Sequence, residues 1–385
     1  MKIWHFFLLF TLMAAGSLHA QMKIEKIDPG MKGATADAAG LHWVNCETLT
    51  IEGKGFSDTE SFYDRLPGRA KEMVDQKVWT LSQHSAGIAV RFVTPASSIS
   101  VRWKLRNSSL AMAHMPATGK SGVDLYIKRD GQWRWIGAGK HMKFPVSEAL
   151  LAKIPPEGTD TVNEFLLYLP LYNGVEKVEI GVPSGTGVSA APPRGKPIVF
   201  YGTSITQGGC ASRAGMAFPA ILGRWLDRPV INLGFSGNGQ MQPEVVRFFP
   251  EIDAEMFVID CIPNLGGSAS RRVIVERTLA LVALLREAHP EMPILLVEGT
   301  PWSSWFLMTS SYASSGRALA NAELKKAYEA LVQMGTTNVH YVPGKLLLGT
   351  DGEATVDGTH PTDLGMFRTA EALLPYLKNS LNQCQ

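Results

Sequence analysis

The sequence has no surplus of charge in either sign. Its 37 Lys and Arg stand against 35 Asp and Glu, a net charge of +2, so no basic surface is expected to hold nucleic acid or an anionic membrane. Cysteine is scarce: Cys46, Cys210, Cys261 and Cys384 are the four in the chain. A chain of 385 residues that is 45% hydrophobic buries enough core to need no disulfide staple. No cysteine-plus-histidine spacing of the zinc-binding kind occurs, so no metal is expected. Long apolar runs are missing too. The longest, Phe6 to Met13, is too short to span a bilayer, which excludes stable membrane insertion. Internal repeats are absent.

That short run has another reading. Lys2 precedes it, small residues from Ala14 to Ala20 follow it, and no cysteine stands just after to carry a lipid anchor. Residues 1–20 are therefore expected to be a signal peptide cut before Gln21, and the protein to be exported, periplasmic or extracellular. Export permits disulfides. Cys210 and Cys261 both follow strands expected to be neighbours, and make the one candidate pair; buried free thiols are the alternative.

From about residue 41 to 182 the periodicity is two. Ile99, Val101, Trp103 and Leu105 alternate with Ser100, Arg102, Lys104 and Arg106. Val123 to Lys128 runs into Asp130-Gly131, a two-residue hairpin signal, and returns through Trp133 and Trp135. Phe165, Leu167 and Leu169 alternate, as do Val178, Ile180 and Val182. Residues 21–182 are expected to form an all-β sandwich or jelly roll. Trp79, Trp103, Trp133 and Trp135 are candidates for a sugar-stacking platform, with core packing as the competing use. The long loop from Asn107 to Gly122, carrying His114, has the reach to approach a neighbouring site. Residues 183–197, rich in Gly, Pro and Ser, are expected to link the domains.

Residues 198–385 alternate strand and helix. Strands are expected at 198–201, 230–233, 256–261, 294–298 and 339–342, with helices between them and a last helix at about 364–381. That pattern makes a three-layer α/β fold, a parallel sheet covered on both faces in the flavodoxin-like order 2-1-3-4-5. Ligands of such sheets bind beyond the carboxyl ends of the strands. The polar clusters lie there: Ser204 after the first strand, Gly234 to Gly239 after the second, Asn264 after the third, and Asp357 with His360 after the fifth.

Asp357 and His360 are three apart in one turn. The carboxylate can hold one imidazole nitrogen and leave the other to take a proton from Ser204. The backbone N–H groups of Ser204 and Gly237 and the side-chain amide of Asn264 are the candidate oxyanion donors. The glycines do not make a dinucleotide loop, because Gly234, Gly237 and Gly239 run G-x-x-G-x-G; a P-loop lysine is also missing. No cofactor is expected. The elbow G-x-S-x-G fails as well, since Thr206 stands where its second glycine belongs.

Gly202-Thr203-Ser204-Ile205, Gly237, Asn264 and Asp357-x-x-His360, in this order, resemble the four blocks of the SGNH (GDSL-like) hydrolases. Gly122-Val123-Asp124-Leu125-Tyr126 resembles the GxDLY motif of a β-domain that precedes such hydrolases in some bacterial esterases. The resemblance implies a serine esterase with Ser204 as nucleophile, His360 as base and Asp357 as its orienting carboxylate. Two departures stand out. Thr203 replaces the family's aspartate, and Asn264 lies between Pro263 and Leu265 rather than in a glycine-rich setting. The expected substrate is a small acyl, chiefly acetyl, ester of a carbohydrate. A catalytically silent carbohydrate-binding or surface interaction protein, and a lipid-type acylhydrolase, are the alternatives. Trp302 and Trp305 are candidates for lining the acyl or sugar pocket, with core packing as the alternative.

Overall fold

The computed structural model describes residues 36–155, 162–301 and 315–382. The expected signal peptide, Cys384, Trp302 and Trp305 lie outside these residues.

The described residues of the N-terminal half form β1 (Leu41–Asn45), β2 (Thr50–Glu52), α1 (Gln76–Ser82), β3 (Ala89–Thr94), β4 (Ser98–Leu105), α2 (Ala117–Lys120), β5 (Asp124–Arg129), β6 (Gln132–Ala138), β7 (Val146–Lys153), β8 (Asn163–Tyr168), β9 (Val175–Pro183) and β10 (Ser189–Ala190). They build two antiparallel sheets, β1-β9-β4-β7 and β10-β3-β8-β5-β6, with β2 beside β3. The β5–β6 hairpin turns through Asp130 and Gly131, both at positive φ (51° and 72°), as a type I′ turn requires.

Alternation decides what each sheet face meets. Val101, Trp103 and Ile180 of the first sheet close on Phe92, Leu125, Phe165 and Leu167 of the second to form the sandwich core. The residues between them on the second sheet, Ala89, Tyr126, Leu166 and Tyr168, are apolar too, and enter a different core. The central strands β3, β8 and β5 of this sheet are therefore buried on both faces, whereas β6 and β10 stay open to solvent.

The C-terminal half contains β11 (Ile198–Gly202), α3 (Ser204–Gln207), α4 (Phe218–Leu226), β12 (Val230–Gly234), α5 (Pro243–Val246), β13 (Met256–Asp260), α6 (Ser268–Arg271), α7 (Ile274–Ala288), β14 (Ile294–Val297), α8 (Gly316–Gln333), β15 (Val339–Val342) and α9 (Asp363–Asn382). Its strands run parallel in the order β12-β11-β13-β14-β15, the expected 2-1-3-4-5. Ile198, Phe200 and Val258 face the core shared with the second β-sheet, α4 and α9. Val199, Tyr201 and Ile259 face the opposite core, beneath α7 and α8. Among the described residues no helix is long and apolar enough to cross a membrane.

The halves interlock at several places. Phe56, Leu66, Val74, Val78 and Trp79, from the segment between β2 and α1 and from α1 itself, pack into the core under α7, on the far side of the parallel sheet. Buried Arg65 donates to the carbonyls of Asn232 and Gly234 at the end of β12, at 2.9 and 2.7 Å. The GxDLY aspartate, Asp124, is buried and accepts from Arg213 Nη1 (2.7 Å) and the Gly215 amide (2.9 Å). In segment 183–197, β10 pairs with β3, and Arg194 forms ion pairs with Glu52 and Asp227.

The tryptophans do not form a platform. Trp79 and Trp103 are buried in separate cores, and Trp133 and Trp135 donate their indole N–H groups to Asp227 and Asp124. Nor do Cys210 and Cys261 pair. Both are buried free thiols, Cys210 in a left-handed turn beyond α3, and Cys261 with its Sγ against the Tyr201 carbonyl.

Candidate active site

The strand register brings the polar clusters level. Gly202 pairs with Gly234 on one side and with Asp260 on the other, so β11, β12 and β13 end together. Thr203 caps α3 by accepting from the Ile205 amide (3.2 Å), which sets Ser204 as the first residue of the helix. A first-turn amide has no intrahelical partner, so the Ser204 N–H is left to donate elsewhere. The Ser204 carbonyl is held by the Tyr172 hydroxyl (3.1 Å) and the Gly209 amide (2.7 Å).

His360 arrives on the loop before α9. Its Nε2 lies 2.9 Å from Ser204 Oγ, and its Nδ1 lies 2.7 Å from Asp357 Oδ2. The other carboxylate oxygen, Oδ1, accepts from the Thr359 and His360 amides at 3.0 and 2.8 Å. Asp357 thus folds its own loop and orients the ring it ends on. Partial burial pushes the Asp357 pKa up, but these hydrogen bonds outweigh it and hold the carboxyl at about 2. It is therefore ionised at neutral pH.

Asn264 ends a 3-10 turn after β13, and its Oδ1 accepts from the Gly239 amide at 3.1 Å. With Oδ1 occupied, Nδ2 is the donating end of that side chain. Gly239 is tight against the turn that begins at Gly202: a Cβ there would lie 2.1 Å from the Gly202 carbonyl oxygen. This glycine had not been singled out for a role. It fastens Asn264 to the turn that carries Ser204. Gly237 sits two residues earlier at the exposed end of the same loop, at φ 71°. Its left-handed backbone is the feature that demands glycine.

Three further groups escaped the sequence reading. Gln207 accepts from the Ser236 amide through Oε1 (3.1 Å) and donates through Nε2 to the Leu171 carbonyl (3.0 Å), tying the Gly234–Gly239 loop to the β-domain. The same Nε2 lies 3.1 Å from His84 Nδ1, which must accept. Burial, with Arg65, Lys120 and Arg106 nearby, lowers the His84 pKa to about 3, so this ring stays neutral. Asp260 accepts from Thr206 Oγ1 at 2.8 Å; burial raises its pKa to about 7, against the opposing pull of Thr206 and Arg317. Nothing in the spacing of these residues marks them. His114, carried by the long loop before α2, does reach the site: its ring centroid is 5.9 Å from that of His360.

Known proteins match at both levels. Residues 195–378 match the GDSL-like lipase/acylhydrolase family, and residues 41–188 match the GxDLY N-terminus of SGNH-hydrolase-type esterases. A solved GDSL-like lipase from Bacteroides ovatus is 34% identical, covering 89% of this chain and 98% of its own, with a TM-score of 0.79. A salicylyl-acyltransferase from a tetracycline biosynthetic pathway shares the fold at 18% identity, covering 89% and 98% of the two chains, with a TM-score of 0.69. An acetyl xylan esterase from Butyrivibrio proteoclasticus shares it at 14% identity, covering 88% and 99%, with a TM-score of 0.57. No curated protein matches the sequence. With a relative this similar along both halves, the chain belongs to the GDSL-like lipase/acylhydrolase family and is a carboxylic ester hydrolase.

Proposed function

We propose that the protein is an exported serine esterase that removes small acyl groups, acetyl foremost, from carbohydrates, with Ser204, His360 and Asp357 as its triad. The observation that carries this reading is the unbroken chain from Asp357 Oδ2 through both nitrogens of His360 to Ser204 Oγ, at 2.7 and 2.9 Å.

Ser204 Oγ attacks the ester carbonyl as its proton passes to His360 Nε2. Asp357 keeps the remaining ring proton on Nδ1 and stabilises the imidazolium. The Ser204 and Gly237 amides and Asn264 Nδ2 donate to the oxyanion. When the tetrahedral intermediate collapses, His360 gives its proton to the leaving alcohol. Water then gives His360 a proton as it attacks the acyl-serine, and the second collapse returns that proton to Ser204 and frees the acid.

Three things support a carbohydrate ester over a lipid: the export signal read in residues 1–20, the β-domain that joins the site through His114, and the fold shared with an acetyl xylan esterase. The domain limits of this reading are 21–182 and 198–385 with 183–197 between them, and residues of the 53–82 segment pack with the second half.

Acetate release from acetylated xylan should exceed release of long acyl chains from synthetic esters. Faster long-chain cleavage would overturn the carbohydrate reading. Ser204→Ala should lose on the order of 10⁴-fold or more in turnover and lose labelling by a fluorophosphonate. Retention of either would overturn the triad.

A further inference from the structure

The proposed triad uses one nitrogen of His360 toward Ser204, yet two more metal-binding atoms converge on the same place. The ligand atoms of His114, Cys210 and His360 lie within 4.8 Å of one another, and these three residues come from three separate segments. His114 sits on a turn in which Met112 and Met115 exchange both backbone hydrogen bonds, at 2.9 and 3.1 Å, with Met115 buried. That loop is fastened to the Cys210 segment, since Thr118 Oγ1 donates to the Ser212 carbonyl. Cys210 itself lies in a left-handed turn just beyond α3.

We propose that His114, Cys210 and His360 form a site for a borderline-soft divalent cation of the zinc type, and that its occupation switches the hydrolase off. Two imidazoles and a thiolate are the donor set that zinc prefers and that magnesium and calcium do not. Zinc holds such ligands at roughly 2.0–2.3 Å in a tetrahedron, so their atoms sit about 3.4–3.8 Å apart. A closure of about 1 Å assembles the site, and the exposed His114 side chain can supply it by rotation. His360 is already prepared. Its Nδ1 is held by Asp357, the carboxylate–histidine arrangement that orients metal-bound imidazoles, and this leaves Nε2 as the free ligand.

Nε2 is also the atom 2.9 Å from Ser204 Oγ. One lone pair cannot both accept the serine proton and bind a cation. Binding therefore breaks the Ser204–His360 hydrogen bond and releases one proton, from the Cys210 thiol, leaving a fourth position for water.

The loss of activity rests on His360 acting as the base; the binding does not. Tag-free protein is titrated with cobalt chloride while thiolate-to-cobalt charge transfer is recorded, and with zinc chloride during hydrolysis of a small acetyl ester. One equivalent of cobalt should give the charge-transfer band. Zinc should inhibit, and EDTA should restore the full rate. Cys210→Ser should keep the metal-free rate, and Cys210→Ser and His114→Ala should each raise the half-inhibiting zinc concentration by at least ~10-fold, read against the variant's own metal-free rate. The band should disappear in Cys210→Ser. Ser204→Ala, though inactive, should keep the band, which separates failure of the metal site from failure of the triad. A wild-type protein without the band, or a Cys210→Ser variant inhibited like wild type, would overturn the site.

Discussion

The two parts of the proposed triad sit in opposite surroundings. Every residue from Tyr201 to Cys210 is buried, and the turn they form is held by both halves of the molecule: by β12 and β13 from one, by Tyr172 and Leu171 from the other. The Asp357 and His360 side chains remain 41% and 25% exposed, and their loop is folded largely by its own hydrogen bonds. Placement of Ser204 is thus a tertiary property, whereas placement of Asp357 and His360 is a local one. Damage near Ser204 should cost stability as well as rate. Damage at the Asp357 loop should cost rate alone.

The sharpest test is Asp357→Asn. It should lower kcat by on the order of 10⁴-fold through loss of tautomer control, with an unfolding midpoint close to wild type. A large fall in the midpoint would erase the contrast. Asn264→Ala should cost about 10²–10³-fold in kcat with KM little changed, as expected for a donor that acts on the transition state; steady-state kinetics on an acetyl ester decides it.

On the buried side, Asp260 supplies a pH signature. Its folded pKa of about 7 lies above the ordinary 3.8, so between these values the folded chain keeps a proton that the unfolded chain has released. Stability should therefore fall as pH rises through that window, by no more than about 1.4 kcal/mol per unit, and level off above it. Asp260→Asn should flatten the slope in urea titrations run across the window. An unchanged slope would mean that Asp260 is not its source. The smallest effect is expected from Thr203→Ala, which removes the cap of α3 and should cost about 1 kcal/mol of stability. Calorimetry reads it.

The same contrast explains what the chain disclosed of itself. Asp357 and His360 were legible because their geometry is written in a spacing of three. The parallel order was legible because strand–helix alternation admits few topologies. The buried side was harder. Arg65, His84, Gln207 and Asp260 are joined across long separations, and no local pattern marks them. The apolar residues from Phe56 to Ala70 follow no strand or helix period, because they fit a sheet built some 150 residues later. β7 was missed for a different reason. A register shift where β4 meets it, between Ile99 and Ser100, breaks its alternation, leaving Leu150 exposed and both Leu151 and Ala152 buried. The tryptophans left two uses open, and Trp79 and Trp103 took the buried one: an indole that could stack on a sugar also fills a core well. Thr203 is the reverse case: it departs from the family's residue, yet its hydroxyl caps the helix that carries Ser204.

The sheet that is apolar on both faces bears on how such a protein can be inherited. A front domain joined only by a linker can be exchanged between enzymes like a tool head. Here Tyr126, Leu166 and Tyr168 form one wall of the core that also holds Phe200 and Phe218. Residues 195–385 produced alone would show that wall's partner surface to water and aggregate. The intact chain should melt in a single step. Any lineage that replaced the front half would have to replace its seat as well, so the two halves are expected to have been handed down together.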